Sequence, residues 1–417
     1  MENIKKILKE ELKEVEVDKI ELTSIEKKLA KIKKEITFNI RKNKIKADII
    51  IGGSYAKGTL IKKKKYDIDL FIRFDRNIEE DRISDLLKKL VPKNSEKIHG
   101  SRDYYRLKEN YEKFSIEFEI IPVIKINRNS EARNTTDLSY SHVWYVNGKI
   151  KKNKKLASEI KLAKAFLHYQ GCYGAESFIN GFSGYATELI IIYYKSFINF
   201  LKAMSKLKVE EKLIIDTEGF YKNRREVLTE INEAKLQSPI ILIDPTYNTR
   251  NALAALNMET LLKLKKSSSE FLKKPSLNFF KHLDKIEDFK KRNKKFVELE
   301  ARIDRQPGDI AGTKLRKFYN QLIDGMRRYF EVKDSEFFYD EDRNIGKILL
   351  NFKEKKEIIF QGPPLEMKEN CRRFRLEHRK IKEKNGKLYA VEKNINFKEF
   401  LSKIILQRQN PVRVMLS

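Results

Sequence analysis

Cysteine is nearly absent: Cys172 and Cys371 are the two in 417 residues, with no paired Cys or Cys–His spacing. Neither a disulfide framework nor a zinc site is indicated, and a reducing, cytoplasmic setting is expected. Long apolar runs are missing as well. No window approaches the roughly 18 residues that a membrane span needs, and Met1 leads into Glu-Asn-Ile-Lys-Lys and not into an apolar leader, so no membrane partner is expected. Internal repeats and low-complexity linkers are lacking too. Above all, acids are scarce against bases, with 60 Asp plus Glu facing 89 Lys plus Arg, a formal net charge of +29.

Such an excess points to a polyanionic partner, nucleic acid first, because neutralising phosphates releases condensed counterions. A Lys-rich genome bias or a heat-adapted surface is the plain alternative, and it does not by itself account for so large a net charge. What is present is foldable: charged residues make up 36% and aromatics 11%. At about 150 residues per domain, the length suits roughly two to four domains.

In chain order, residues 1–45 carry apolar residues at helical spacing, Ile4, Ile7 and Leu8, then Ile25, Leu29 and Ile32, and are expected to pack on the back of a sheet. Strand signals follow at Ile49–Ile51, Asp67–Phe74 and Phe114–Ile126, with a helix near Glu79–Leu90. Residues 158–207 read as helical, punctuated by Gly171-Cys172-Tyr173-Gly174 and Gly181-Phe182-Ser183-Gly184. Residues 251–273 read as helix, 296–300 as strand, 313–330 as helix, 337–339 as a short strand and 345–352 as another. The pattern is that of an α+β multidomain protein.

The chemistry concentrates between Ile49 and Phe74. In Asp67-Ile68-Asp69 both carboxylates project to one strand face while Ile68 and Leu70 point to a core. Glu117 and Glu119 alternate with Ile116, Phe118 and Ile120 in the same way. If the two strands pair in register, the carboxylates cluster at the sheet surface as a site for two hard cations. Alternating Glu on a strand is, taken alone, a solvated face. The Gly52-Gly53-Ser54 turn adds backbone N–H groups and a hydroxyl able to meet a phosphate, although an isolated Gly-Gly-Ser is also an ordinary turn.

GGSYAKGT followed by YDIDLF resembles the signature of the nucleotidyltransferase superfamily that includes DNA polymerase β and poly(A) polymerases. Four later stretches narrow the resemblance to the archaeal-type, class I CCA-adding enzymes (tRNA nucleotidyltransferases): TTDLSYSH, KLAKAFLHYQGCYGAESFINGFSGY, DPTYNTRNALAALN and GPPLEMKENCRRFRLEH. The similarity covers nearly the whole chain. It implies a polymerase-β-like palm over residues 1–145, a helical neck domain over 146–221, an α/β body over 222–275 and 355–417, and a tRNA-binding tail over 276–354.

The same resemblance implies that Asp67, Asp69 and Glu119 hold Mg2+, with Glu119, three before Pro122, standing where relatives often have Asp and Glu117 as its fallback. It places Gly53, Ser54, Lys57, His142, Lys164, Tyr173 and Ser183 at the triphosphate, and Asp244 with Arg250 at the incoming base, Asn251 supporting that loop. Plain structural alternatives stand beside three of these: a packed core histidine for His142, an exposed helix charge for Lys164, and a simple ion pair with Asp244 for Arg250. The implied reaction is attack of the tRNA 3′-OH on the α-phosphorus of CTP or ATP, with release of pyrophosphate. The implied partners are the tRNA acceptor stem and T arm, CTP and ATP; a homodimer is left open. Two positions depart from the family pattern: Leu138 replaces an Arg, and the segment from Gly312 lacks a Pro-Gln pair. A poly(A) polymerase, an oligoadenylate synthetase and an inactive RNA-binding protein are the rival readings.

Overall fold

The computed structural model describes residues 2–100, 102–281, 285–303, 308–340, 343–406 and 412–416. The chain divides into two compact units, one of Met1–Ala175 with Ile179–Lys281 and one of Glu176–Phe178 with His282–Ser417.

In the first unit five strands form one sheet: β1 (Ala47–Ile51), β2 (Lys65–Phe74), β3 (Glu96–Ile98), β4 (Tyr104–Asn110) and β5 (Ser115–Ile124), in the order β1-β2-β5-β4-β3. β2 and β5 run parallel and the other neighbours antiparallel. The period-two alternation decides the faces: Tyr66, Ile68, Leu70, Ile72 and Phe74 of β2 are buried, as are Ile116, Phe118 and Ile120 of β5. Their apolar face is covered by α2 (Lys19–Lys42), whose Ile25, Leu29, Ile32 and Ile36 recur at helical spacing, and by Ile83 and Leu87 of α4 (Glu80–Lys88).

The helix that precedes α2, α1 (Glu2–Val15), does not join this sheet. Its Val15, Leu8 and Leu12 belong to a separate helical core, so the expectation that residues 1–45 back the sheet holds for the second helix and not for the first. That core is built by α5 (Ser139–Lys152), α6 (Lys155–Tyr169), α7 (Gly184–Tyr194), α8 (Phe197–Lys206) and α10 (Met258–Lys273). The four-residue α3 (Gly53–Ala56) lies between β1 and β2, and α9 (Arg224–Glu230) between α8 and α10. Phe166 is at its centre, with ring centres of Phe197 and Phe271 5.4 and 5.7 Å away. Beside it β6 (Leu213–Ile215), β7 (Ile240–Asp244) and β8 (Tyr247–Asn251) form a small sheet, with every residue of β7 buried. Helix was expected from residue 251. The chain instead completes the β7–β8 hairpin first, and α10 starts only after Asn257, which caps it by accepting from Thr260 N at 2.8 Å.

The second unit contains α11 (Lys285–Arg292), β9 (Val297–Ile303), α12 (Gly308–Tyr329), β10 (Phe330–Asp340), β11 (Ile345–Glu354), β12 (Glu357–Pro364), α13 (Lys368–Glu377), β13 (Ile381–Lys384), β14 (Lys387–Lys393), α14 (Phe397–Leu406) and β15 (Val412–Leu416). Its sheets are ordered β10-β11-β9-β15 and β12-β14-β13. β10 is far longer than the three residues expected, because a register shift between Val332 and Asp334 and the polar run that follows hide the alternation. At Gly312 an added Cβ would lie 2.6 Å from Phe178 Cδ1 and 2.8 Å from Tyr339 Cε1, so the departure there lets α12 lie against two rings. No helix of the described residues is long and apolar enough to cross a membrane.

Candidate active site

The parallel pairing of β2 with β5 sets Asp67 opposite Glu117 and Asp69 opposite Glu119. Four carboxylates therefore share one face of two neighbouring strands. Their surroundings differ. Glu117 is 4% exposed and neutralised by Lys65 Nζ at 3.0 Å and Arg106 Nε at 3.2 Å. Glu119 meets the far end of that guanidinium, Arg106 Nη2 at 3.5 Å, and accepts a hydrogen bond from Tyr104. Among the described residues no cation pairs with Asp67 or Asp69 at all. Burial is the main cause that pushes the Asp69 carboxyl up to about 7, with Glu119 adding to it and Lys57 opposing. Burial likewise raises Glu119, helped by the Asp67 charge, and raises Asp67 against the pull of Lys65 and Lys63.

The turn before β2 is fitted to these side chains. Gly53 has φ +61°, and a Cβ there would sit 1.7 Å from Asp69 Oδ2. A Cβ on Gly52 would sit 2.0 Å from Phe71 Cε2. Both glycines are therefore needed for close approach of the backbone, and Gly53 also for its dihedral. Ser54 follows within α3, its carbonyl accepting from Thr59 N at 3.0 Å.

Lys57 and Lys164 are brought together by a residue that the sequence reading did not single out. Glu188, with no solvent exposure, accepts from Lys57 Nζ at 2.5 Å on one oxygen and from Lys164 Nζ and Thr59 Oγ1, each at 2.7 Å, on the other. Burial opposes its ionisation, but Lys164 and Lys57 outweigh that and hold the carboxyl at about 2. Two ammoniums against one carboxylate leave one positive charge. Lys164 is 2% exposed, which disposes of the exposed-charge alternative. Glu188 had a signal in the sequence: it is the lone charge in the apolar run GYATELIIIYY, and a buried charge needs a partner.

A second buried carboxylate gathers His142 and Arg250. Asp244 Oδ2 is 2.7 Å from Arg250 Nη1 and 3.3 Å from His142 Nε2, while its Oδ1 accepts from Tyr185 Oη at 2.9 Å and from Thr246 N and Oγ1 at 2.8 Å. Burial works against the Asp244 charge, yet these donors keep the carboxyl well below the usual carboxylate range. Burial lowers the His142 pKa, with Asp244 opposing. The His142 ring stacks on Tyr185 at 3.9 Å. Tyr185 and Thr246 are further residues that the sequence reading missed. Arg250 does pair with Asp244, and its side chain keeps 30% exposure, so it is anchored and still accessible. Asn251 supports the loop: its Oδ1 accepts from Leu242 N at 3.0 Å and Leu253 N at 2.9 Å.

Lys57 adjoins all three groups. It bonds Glu188, lies 5.7 Å from the centre of the Tyr185 ring, and its charge lowers the pKa values of both Asp69 and His142. Tyr173 lies under Lys63 Nζ at 5.2 Å, and Ser183 caps α7 by accepting from Ala186 N at 3.1 Å. The departure at Leu138 is answered from elsewhere. Leu138 is buried, and its neighbour Asp137 is bound by the guanidinium of Arg102 and by the N–H groups of Ile124, Arg133 and Asn134.

Among the described residues no three His, Cys, Asp or Glu side chains form a closed metal cage. The donor set nonetheless fits hard divalent cations: among the described residues Asp67 and Asp69 lack a cationic partner, and the Asp67 charge raises the Asp69 pKa. Magnesium is ordinarily held by one or two carboxylates completed by water and substrate phosphates, so a protein-only cage is not required.

A family described as the nucleotidyltransferase domain matches residues 30–137, and one described as tRNA nucleotidyltransferase, second domain, matches residues 158–281. The chain is 33% identical over 355 residues to the CCA-adding enzyme of Nanoarchaeum equitans, covering 82% of this chain and 83% of that one. It is 30% identical over 400 residues to the CCA-adding enzyme of Methanocaldococcus jannaschii, covering 93% and 87%. The solved Cid1 poly(U) polymerase with Mg and 3′-dATP bound aligns with TM-score 0.51 at 13% identity, over 67% of this chain and 98% of that one. A cytoplasmic RNA terminal U-transferase aligns with TM-score 0.52 at 13% identity, over 68% and 99%. At such identity these two likenesses concern the fold alone, a nucleotidyltransferase palm.

Proposed function

The chain belongs to the family of CCA-adding enzymes, and from that premise we infer how its residues carry the reaction. The enzyme adds C, C and A to tRNA 3′ ends from CTP and ATP without a nucleic-acid template. The observation that supports the site assignment best is the register of β2 on β5, which aligns Asp67 and Asp69 with Glu117 and Glu119 beside the Lys57–Glu188–Lys164 network.

Members of this superfamily generally use divalent cations, and here Mg2+ is the ion proposed, held by Asp67, Asp69 and Glu119. When bound it supplies charge neutralisation at the transferred phosphate and a lowered pKa for the attacking hydroxyl. Glu117 is assigned a structural part, because Lys65 and Arg106 already neutralise it. Lys57 and Lys164 present the surplus positive charge of their network to the triphosphate, with Gly53, Ser54, His142, Tyr173 and Ser183 as further contacts. Arg250, anchored on Asp244, offers its remaining donors to the acceptors of cytosine or adenine, a rigid fork that lysine cannot reproduce. No side-chain nucleophile is involved; positioning and electrostatics carry the transfer.

Residues 1–145 act as the catalytic head, 146–221 as the neck, 222–275 with 355–417 as the body, and 276–354 as the tail. The basic body and tail hold the acceptor stem and T arm by shape and backbone, as double-stranded RNA requires. The test is a tRNA lacking CCA, incubated with CTP, ATP and Mg2+ and resolved at single-nucleotide length. Three defined additions are expected. Long A tails or 2′-5′ linkages would assign the site to one of the rival RNA nucleotidyltransferases instead.

A further inference from the structure

We propose that the outward face of α5 is a stacking platform for unpaired RNA nucleotides. Trp144, the sole tryptophan of the chain, is 70% exposed, and Tyr140, one turn before it, is 49% exposed. Residues four apart share a helix face. One turn beyond, Gly148 has open space where a Cβ would stand, so no side chain closes that end of the stripe. Arg73 of β2, fixed by two bonds to Asp48 at 2.9 and 2.8 Å, lies 5.2 Å from the centre of the Tyr140 ring. The other side of the helix is committed elsewhere: Tyr145 and Val146 enter the core, and His142 reaches Asp244.

The chemistry selects the occupant. Leaving an indole in water forgoes the free energy of burying its large apolar surface. From Leu138 to Ser158 the chain has no Asp or Glu, and it carries Lys149, Lys151, Lys152, Lys154 and Lys155. A second copy docking isologously on this face would set its positive segment against itself. Exposed rings, an arginine beside one of them and an acid-free basic segment together suit single-stranded nucleic acid, whose unstacked bases offer π-faces to aromatics and phosphates to lysine. A duplex keeps its bases stacked on each other and has nothing to offer the rings. The inference rests on RNA being the substrate and names the part of it, an unpaired segment, that this face engages.

The full chain is titrated with a single-stranded oligocytidylate of about eight nucleotides and with an RNA duplex of equal length, reading Trp144 fluorescence. Saturable quenching by the single strand, and several-fold weaker binding of the duplex, are expected. Trp144→Ala, at an exposed position where folding is little affected, weakens binding of a labelled oligocytidylate about fivefold or more by anisotropy, and Trp144→Phe restores most of it. Trp144→Ala also raises KM for tRNA lacking CCA, with KM for CTP unchanged within about twofold. Absent quenching, equal quenching by the duplex, or unaltered affinity of Trp144→Ala overturns the proposal. So does RNA-independent quenching that grows with protein concentration alongside a doubled sedimenting mass, which assigns the face to self-association. CCA addition by the unaltered enzyme is scored in the same buffer: its absence counts against the function proposed above, whereas addition combined with unaltered Trp144→Ala affinity removes only the platform.

Discussion

Lys164 Nζ lies 2.7 Å from one carboxylate oxygen of Glu188, whose other oxygen is held by Lys57 at 2.5 Å. One inaccessible carboxylate thus fixes the spacing of two ammoniums. Glu188→Gln is expected to cost about 3–5 kcal/mol of stability, the usual penalty for leaving a buried charge without its partner, and to raise KM for CTP and ATP. Combining it with Lys164→Met removes one of the two orphaned charges and should recover part of the unfolding midpoint, while nucleotide KM stays about tenfold or more above wild type. If the double variant regained normal nucleotide KM along with stability, the lysines would be structural only.

Asp67→Ala and Asp69→Ala are expected to abolish nucleotide incorporation and to leave tRNA binding largely intact, and chelating Mg2+ should act on the unaltered enzyme in the same way. Single-turnover extension and a filter-binding titration check both halves. Residual activity above roughly a tenth of wild type would remove that carboxylate from the assignment.

The two glutamates of β5 should part company. Glu119→Gln loses incorporation with little change in unfolding midpoint. Glu117→Gln leaves Lys65 and Arg106 without their shared partner and lowers stability, by about 1–3 kcal/mol, while keeping most activity. Denaturant melts and extension assays on both variants decide, and the opposite pattern would exchange their roles.

Arg250→Ala should damage discrimination between CTP, ATP and the other nucleotides more than it damages folding. Asp244→Asn should share the phenotype, since it releases the guanidinium from its anchor. Misincorporation ratios measured with each nucleotide alone provide the readout; unchanged preference in Arg250→Ala would refute its contact with the base.

Glu11 of α1 is 4% exposed, and its carboxyl is pushed up to about 8, first by burial and then by Glu14, with Lys281 opposing. A raised carboxylate pKa means that the folded chain keeps a proton which the unfolded chain releases. This contribution therefore favours folding at low pH and is lost as pH rises from the ordinary Glu value of 4.5 to about 8. Glu11→Gln should flatten that part of the slope of unfolding free energy against pH. An identical slope in the variant would contradict the shift.

The carboxylate face was legible because strand alternation has a period of two and both strands are rich in β-branched and aromatic residues; Asp67, Asp69, Glu117 and Glu119 could be placed on faces before any coordinates. The partners of Lys57 and Lys164 were not. Lys57 and Glu188 are 131 residues apart in the chain, and Lys164 and Thr59 are 105 apart. No local period relates such residues, so only the rule that a buried charge requires a counter-charge could have flagged Glu188 inside GYATELIIIYY. The same distance hid Arg102, 35 residues before the Asp137 that it binds. The length of β10 was lost for a local reason, its register shift, and the packing of α1 because an amphipathic stripe states that a helix is half-buried without saying against what.

Gly52 and Gly53 leave room for Phe71 and Asp69, two successive residues on one face of β2. The turn and the strand are thereby keyed at two teeth. A slip of β2 by one residue against the turn would bring Leu70 and Ile72 under the glycines and turn both carboxylates inward. The spacing of the proposed catalytic groups is thus guarded by two absent side chains, and any substitution at position 53 acts, in effect, on Asp69.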